Sequence, residues 1–405
     1  MTGVMQGVKV VEMATYNAGP TAARILGDWG ADVVKIENYH GDTLRPLGMN
    51  LLAPIDDDEN PVFFMANSNK KIIALNIKTQ EGLDIAHKLI SEADVFITNT
   101  RTDALKRVGL DYDTLSLKYP RLIFGHILGY GEEGPLKDRP AFDFSTYFAR
   151  SSFMSTMADK NGPPTSNAPA FGDHQLALAI AGGIGAALYG REKTGRGDYV
   201  HASLYHMGIY GFALLMVSDY YEASYPITHD EPLSPLVTVY KSKDDKWFYI
   251  ASPDYLTYFP KVCDVLGLEE LKNDERYNDI VGMLTNSVEI KRQLQEAIIK
   301  FDVDELVTMF LDGNIPSEKV FTIPDVRNDA QVWANDFMVE VEYKNGSKGQ
   351  MVTSPIRLKS MGKGFDYQRI PGGLGAESAD VLRDMGYSDA DIQKLKEIGA
   401  VNFGD

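Results

Sequence analysis

The 405-residue chain has one cysteine, three tryptophans and no long hydrophobic run. A lone Cys263 cannot close an internal disulfide or build a multi-thiolate metal site, and it fits a reducing compartment. The longest stretch of apolar residues and glycine, Leu176 to Tyr189, spans 14 residues, short of the roughly 20 a membrane helix needs. The N-terminus lacks a basic region followed by an apolar stretch and a cleavage site. A soluble cytoplasmic protein with no membrane partner is expected. Positive charge is also scarce: 40 Lys and Arg stand against 57 Asp and Glu, a net −17. That balance opposes nucleic acid as a partner, because phosphate neutralisation needs basic clusters. The deficit is uneven, −4 over residues 1–200 and −13 over 201–405. The first half can therefore still hold a local basic pocket for a small polyanion.

Several catalytic signatures are missing too. No G-x-x-x-x-G-K-[ST] loop occurs; Gly190–Arg196 comes nearest, with Arg196 in place of the lysine. H-E-x-x-H and G-x-S-x-G are absent. Gly183-Ile184-Gly185 opens a G-x-G, but Leu188 stands where the third glycine belongs, and close helix packing explains these glycines better. The seven histidines show no ligand spacing tied to carboxylates, so no metal site is expected. His126, in a strand, reads as a packed residue.

What is present is an ordinary globular composition, 44% hydrophobic and 24% charged, long enough for two or three domains. Short apolar runs at Val8–Glu12, Asp32–Ile36, Ile72–Leu75, Val95–Thr98 and Leu122–Ile127 read as strands. Helical patterns at Thr21–Asp28, Thr79–Ala93 and Ala104–Val108 alternate with them. The alternation predicts an α/β fold with a Rossmann-like parallel sheet covered by helices. Ligands in such sheets sit at the carboxyl ends of strands, where Asn17, Asn99 and Gly129–Gly131 fall. A long helix is expected after Gly172 and another over His201–Tyr221. The pattern changes near Tyr225-Pro226: a hairpin across Lys243-Asp244-Asp245 and acidic helices over about 255–312 suggest a smaller α+β domain. The expected division is a large domain at 1–225, a small one at 226–330, and a return segment at 331–405 ending in a helix at Asp389–Ile398.

The most informative segment is Phe171-Gly172-Asp173-His174-Gln175. A loop containing Pro163, Pro164 and Pro169 leads into a carboxylate at a helix start. One reading is an N-cap, since Asp accepts bonds from the first helical N–H groups. The other is a nucleophilic carboxylate kept ionised by those groups and the helix dipole.

Further segments carry a resemblance. Ala18-Gly19-Pro20, Gly30–Glu37, Asn69-Lys70-Lys71, Ala93–Asn99, Gly129-Tyr130-Gly131 with Gly134-Pro135, Gly172-Asp173 and Thr194–Gly197 follow one another as in the class III coenzyme A transferases. This is the group of formyl-CoA and carnitine-CoA transferases. The similarity covers residues 7–205, loosens afterwards and returns at Trp333–Asp336. Tyr130–Pro135 and Gly172–Gln175 resemble most the branch that acts on 2-hydroxy acids in amino-acid fermentation, the phenyllactate and 2-hydroxyisocaproate CoA-transferases.

The resemblance implies an interlocked homodimer and a reaction that moves CoA from an acyl-CoA donor to a carboxylic acid acceptor, without a tightly bound cofactor. It places the catalytic aspartate on Asp173, with Gly172 beside it, and an acidic helper on Asp143. It places coenzyme A contacts on Asn17, Asn99, Arg107 and Lys137. A salt-bridged structural role for Asp143, and solvated surface roles for Arg107 and Lys137, stay open at this point. Asn17 replaces the family's frequent glutamine. The strand exit Ala251–Tyr255 lacks the glycine run that forms a lid in the formyl-type enzymes, leaving a stiffer lid or substrate contact by Tyr255. Tyr147, Phe148, Phe153, Tyr205 and Tyr255 are candidates for an acceptor pocket, or for core. A 2-methylacyl-CoA racemase is one rival, although Phe142 stands where its histidine would precede Asp143. A non-catalytic acyl-CoA binder and an oxidoreductase are others.

Overall fold

The computed structural model describes residues 3–361 and 369–404; residues 362–368, within the expected return segment, lie outside the described residues. Seven strands form the main sheet: β1 (Lys9–Met13), β2 (Asp32–Asn38), β3 (Lys70–Leu75), β4 (Val95–Thr98), β5 (Ile123–Leu128), β6 (Tyr199–Ser203) and β12 (Val401–Asn402). Their spatial order is β12-β3-β2-β1-β4-β5-β6. All neighbours pair in parallel except β12, which runs antiparallel to β3. Val10 lies opposite both Val33 and Val95. β4 is buried along its whole length, as a strand covered on both faces must be. The order reverses between β1 and β4, which opens a crevice at the carboxyl ends of those two strands.

Helices Ala18–Asp28 and Phe171–Thr194 pack against each other beside the sheet. Small residues allow this: Ala22, Ala23, Ala177 and Ala181 are fully buried. Gly183 fits the close-packing reading, since a Cβ there would come 2.6 Å from Val200 Cγ1, whereas Gly185 faces open space. The sequence reading of one helix over His201–Tyr221 needs correction. Tyr199–Ser203 is β6, paired with Phe124–Leu128. The Ser203 side chain then accepts from His206 N–H and starts the Leu204–Gly211 helix, and a second helix spans Ala213–Tyr220.

The chain divides into two compact units, Met1–Phe153 with Asn167–Leu214 and Ala330–Asp405, and Met154–Ser166 with Leu215–Asp329. These bounds differ from the 226–330 read off the proline cluster. Segment 154–166 is tied to 227–229 by bonds from His229 N–H and the Thr228 hydroxyl to Asp159, 3.0 and 3.1 Å, and from Lys160 N–H to Ile227 O. In the second unit β7 (Val237–Lys241) and β8 (Trp247–Ala251) form an antiparallel hairpin, joined by β9 (Ser317–Lys319). Helices Tyr255–Leu266, Ile280–Ile298 and Val303–Asp312 bury its separate core around Phe248, Phe259 and Leu294. In the first unit β10 (Met338–Glu342) and β11 (Lys348–Val352) form another hairpin. Ile72 and Ala74 N–H groups donate to Glu377 and Ser378, which holds the C-terminal segment against β3.

Candidate active site

A cleft of about 420 Å³ lies at the carboxyl ends of β1, β4 and β5, where the sheet order reverses. Asn17, Asn99, Lys137, Asp143 and Asp173 all line it. Asn17 precedes the Ala18–Asp28 helix without making a side-chain cap. The Asn99 amide is engaged with the backbone: it accepts from Thr15 N–H at 3.1 Å and donates to Thr15 O at 2.8 Å. Asn99 thereby ties the end of β1 to the end of β4, and keeps one amide N–H and one oxygen lone pair for a ligand. Lys137 is joined in the lining by Arg101, Lys106 and Arg139. None of the four forms an ion pair among the described residues. The same lining also carries Asp103, Glu132 and Asp138, and Arg139 stacks over the Tyr130 ring, so the cations stand in a mixed-charge wall where an anion would meet them individually.

Arg107 is not in this cleft. It lines a separate cavity of about 700 Å³ with His40, Lys78 and Gln80, at the carboxyl ends of β2 and β3. Lys106 and Arg107 are neighbours on helix Thr102–Arg107, and about 100° of rotation per residue sends them to different cavities. A smaller cavity connects the two, sharing Thr15 and Thr100 with the first and Asn38, Leu75 and Ala104 with the second. Together they form a trough along the carboxyl edge of the sheet.

Asp143 packs against Gly172, the residue before Asp173, and feels the Asp173 charge. A Cβ on Gly172 would collide with Asp143 Oδ1 and with the Tyr147 ring, so only glycine fits. Asp173 is the third residue of helix Phe171–Thr194, whose cap is Ala170 in a left-handed conformation (φ 61°). The N-cap reading for Asp173 is therefore wrong. Burial pushes Asp173 up to about 6, which narrows the margin by which the carboxylate is ionised at neutral pH. Asp143 is buried and precedes a π-helical turn, Phe144–Arg150. Its burial and the adjacent Asp173 charge push it up to about 7. The Gly172 and Phe171 N–H groups oppose this without completing a hydrogen bond to either oxygen. No ion pair holds Asp143 among the described residues, so the salt-bridged alternative is not what the site contains. Two carboxyl groups of raised pKa lining one cleft suit covalent or proton-transfer chemistry.

The family model for CoA-transferase family III matches residues 5–373. The chain belongs to CoA-transferase family III. A (R)-2-hydroxy-4-methylpentanoate CoA-transferase from Clostridioides difficile is 40% identical over 400 residues, covering 99% of this chain and 100% of that one. A cinnamoyl-CoA:phenyllactate CoA-transferase from Clostridium sporogenes is 37% identical, covering 98% and 97%. Among solved structures, a CaiB/BaiF family protein from Brucella suis superposes with TM-score 0.80 at 26% identity, over 95% of this chain and 100% of that one. The α/β fold with its large parallel sheet is thus that of the family, and this enzyme is a CoA-transferase.

Other residues singled out from the sequence sort into packed positions. Tyr147, Phe148 and Phe153 pack with Phe171 and Phe212 in an aromatic cluster. Tyr255 is buried in the core of the second unit, donating to Tyr277 O at 2.8 Å, so it is not a substrate contact. His126 lines the cleft but both ring nitrogens are occupied, by Thr100 O at 2.9 Å and the Tyr199 hydroxyl at 2.8 Å. Burial lowers its pKa, and with both ring nitrogens engaged it is a neutral packed strut, as its place in a strand suggested. Sequence reading missed Tyr16, Arg101, Lys106, Arg139 and Phe142 in the cleft lining. Their neighbours hinted at them: Tyr16 adjoins Asn17, Phe142 adjoins Asp143, Lys106 adjoins Arg107, and Arg101 and Arg139 lie near Asn99 and Lys137. No cluster of His, Cys, Asp and Glu is placed to hold a metal ion, and no helix is long and apolar enough to cross a membrane, among the described residues.

Proposed function

We propose that the enzyme transfers CoA from an acyl-CoA donor to an (R)-2-hydroxy acid, with Asp173 as covalent nucleophile. The observation that carries this reading is the half-buried Asp173 near the buried Asp143, in a cleft at the reversal of the sheet whose lining includes cations without ion-pair partners among the described residues. The names of the two Clostridial relatives support the acceptor class.

Asp173, ionised above about pH 6, attacks the donor thioester carbonyl and releases CoA thiolate, leaving a mixed anhydride. The thiolate attacks the aspartyl carbonyl, giving an aspartyl-CoA thioester and the free donor acid. The acceptor carboxylate then attacks this thioester, and a second mixed anhydride forms with release of thiolate. Thiolate attack on the acceptor acyl carbonyl yields the new acyl-CoA and restores Asp173. One thioester replaces another, so no nucleotide triphosphate is consumed. Asp143, with a pKa near 7, carries a proton much of the time and spares Asp173 a full neighbouring charge. Main-chain N–H groups at Gly172 and Asp173 are the candidate donors to the developing oxyanion.

The trough supports an extended CoA, its thioester near Asp173 and its phosphates toward Lys137, Lys106 and, in the farther cavity, Arg107 and Lys78. Asn17 and Asn99 would contact the intervening part. The enzyme would act as a cytoplasmic homodimer, interlocked as in the family. The Ala213–Tyr220 helix supports a second copy as partner: it exposes Leu214, Val217 and Tyr220 at 85%, 61% and 81%. An acceptor panel with one acyl-CoA donor tests the activity. Transfer to 2-hydroxy acids is expected, and turnover only with oxalate or carnitine would refute the acceptor class.

A further inference from the structure

Tyr16 holds a backbone conformation rare for a bulky residue, φ 62°, where β1 leaves the sheet. The cause lies beneath it. Tyr16 N–H donates to Asp42 Oδ1 at 3.1 Å, Ala14 O accepts from Lys35 Nζ at 2.8 Å, and Pro20 O accepts from Lys70 Nζ at 2.7 Å. Lys35 bridges Asp42 and Glu12, each at 2.9 Å, and Lys70 takes the other Glu12 oxygen at 2.8 Å. All four of these charged side chains are fully shielded from solvent. Such an array is a poor source of stability, because desolvation opposes the Coulomb gain. Its contacts converge on residues 14, 16 and 20, so it fixes the turn in its strained form.

The strained turn brings Tyr16 into the cleft, edge-on to Phe142 with ring centroids 5.3 Å apart at 87°. Phe142 is 50% exposed although it adjoins buried Asp143. We infer that Tyr16 and Phe142 form the wall that receives the acceptor's side chain, and that they select branched or aromatic 2-hydroxy acids over short ones. This rests on the transferase reading above. Arg101, Lys106, Lys137 and Arg139 bring cations to the same cleft, alongside Asp103, Glu132 and Asp138. The aromatic pair supplies an apolar surface in the cleft that Asp143 and Asp173 line, with Phe142 directly before Asp143, and an apolar side chain covering a half-exposed phenyl ring removes area from water.

The test measures kcat/KM for lactate, 2-hydroxy-4-methylpentanoate and phenyllactate with one acyl-CoA donor, in wild type, Phe142→Ala and Tyr16→Gly. Glycine accepts the positive φ, so the second variant removes the ring without adding strain. Both variants should lose about tenfold or more with the two larger acids. Lactate should change less than about threefold, in line with its single methyl group, and KM for the donor should hold. If one variant fails to fold, the other decides. An equal loss across the three acids, no loss, or a wild type that prefers lactate overturns the inference while leaving the transferase reading intact. A wild type that transfers CoA to none of the three overturns both.

Discussion

Replacing Asp143 with Asn removes a carboxyl group that the fold strains electrostatically while keeping its shape. In the folded chain burial and the Asp173 charge raise its pKa from 3.8 to about 7. Between those values the folded state binds a proton that the unfolded state has lost, so stability falls as pH rises from about 4 to above 7. A rise of that size corresponds to about 4 kcal/mol at the alkaline end. Solvent screening in the open cleft reduces this to about 2–3 kcal/mol. Asp143→Asn abolishes the effect, because an amide does not ionise. The variant should therefore be more stable than wild type at pH 8, by roughly 2–4 °C in Tm for a chain of this length, with a smaller gap at pH 5. Thermal unfolding of both proteins across pH 5–8 measures it. A gap that stays constant or narrows toward pH 8 would refute the argument that Asp143 is a destabilised carboxyl held against Asp173.

Other outcomes follow from the same geometry. The kcat/KM of wild type should decline as pH drops below about 6, because a protonated Asp173 is not a nucleophile; a pH–rate profile flat down to pH 5 contradicts this. Arg107→Ala and Lys137→Ala should each raise KM for the acyl-CoA by roughly tenfold or more, from the loss of about 1.5–3 kcal/mol per charged phosphate contact, with kcat little changed. Unaltered KM would place that residue outside the CoA path, and the two variants are independent because the residues line different cavities. Gly172→Ala should destabilise the fold by about 1–3 kcal/mol and suppress turnover, since the added Cβ runs into Asp143 and Tyr147; wild-type activity in that variant would show that Asp143 need not pack against Gly172.

The parts of the fold that were readable in the sequence are those whose side chains are buried on both faces. β1, β2, β4 and β5 stand out as apolar runs because helices cover the sheet on either side. β6 was hidden because Tyr199–Ser203 is an edge strand, half-exposed and interrupted by His201. β12 is two residues long and exists only through pairing with β3, which no local pattern reports. The same holds within the site. Asp173, Gly172, Asp143, Asn17, Asn99 and Lys137 were all singled out from motifs, yet their geometry was not readable. Ala170 takes the left-handed conformation that moves Asp173 to the third helical position, and alanine gives no signal for that. Whether Arg107 or Lys106 enters the cleft depends on one residue of helix phase. Tyr16 enters because of buried charges contributed by β1, β2, β3 and the loop after β2, long-range partners that the sequence leaves unpaired.

The covalent role of Asp173 is the claim on which the mechanism stands, and peptide mass analysis addresses it most directly. Wild-type enzyme incubated with acyl-CoA and no acceptor should carry a CoA-sized mass increase on the peptide containing Asp173, through the aspartyl thioester. Hydroxylamine should modify that carboxyl only after donor is added. Asp173→Asn should fold, bind acyl-CoA, form no adduct and lose nearly all turnover. An adduct on the peptide containing Asp143, or an Asp173→Asn protein free of deamidation that still transfers CoA, would contradict the account.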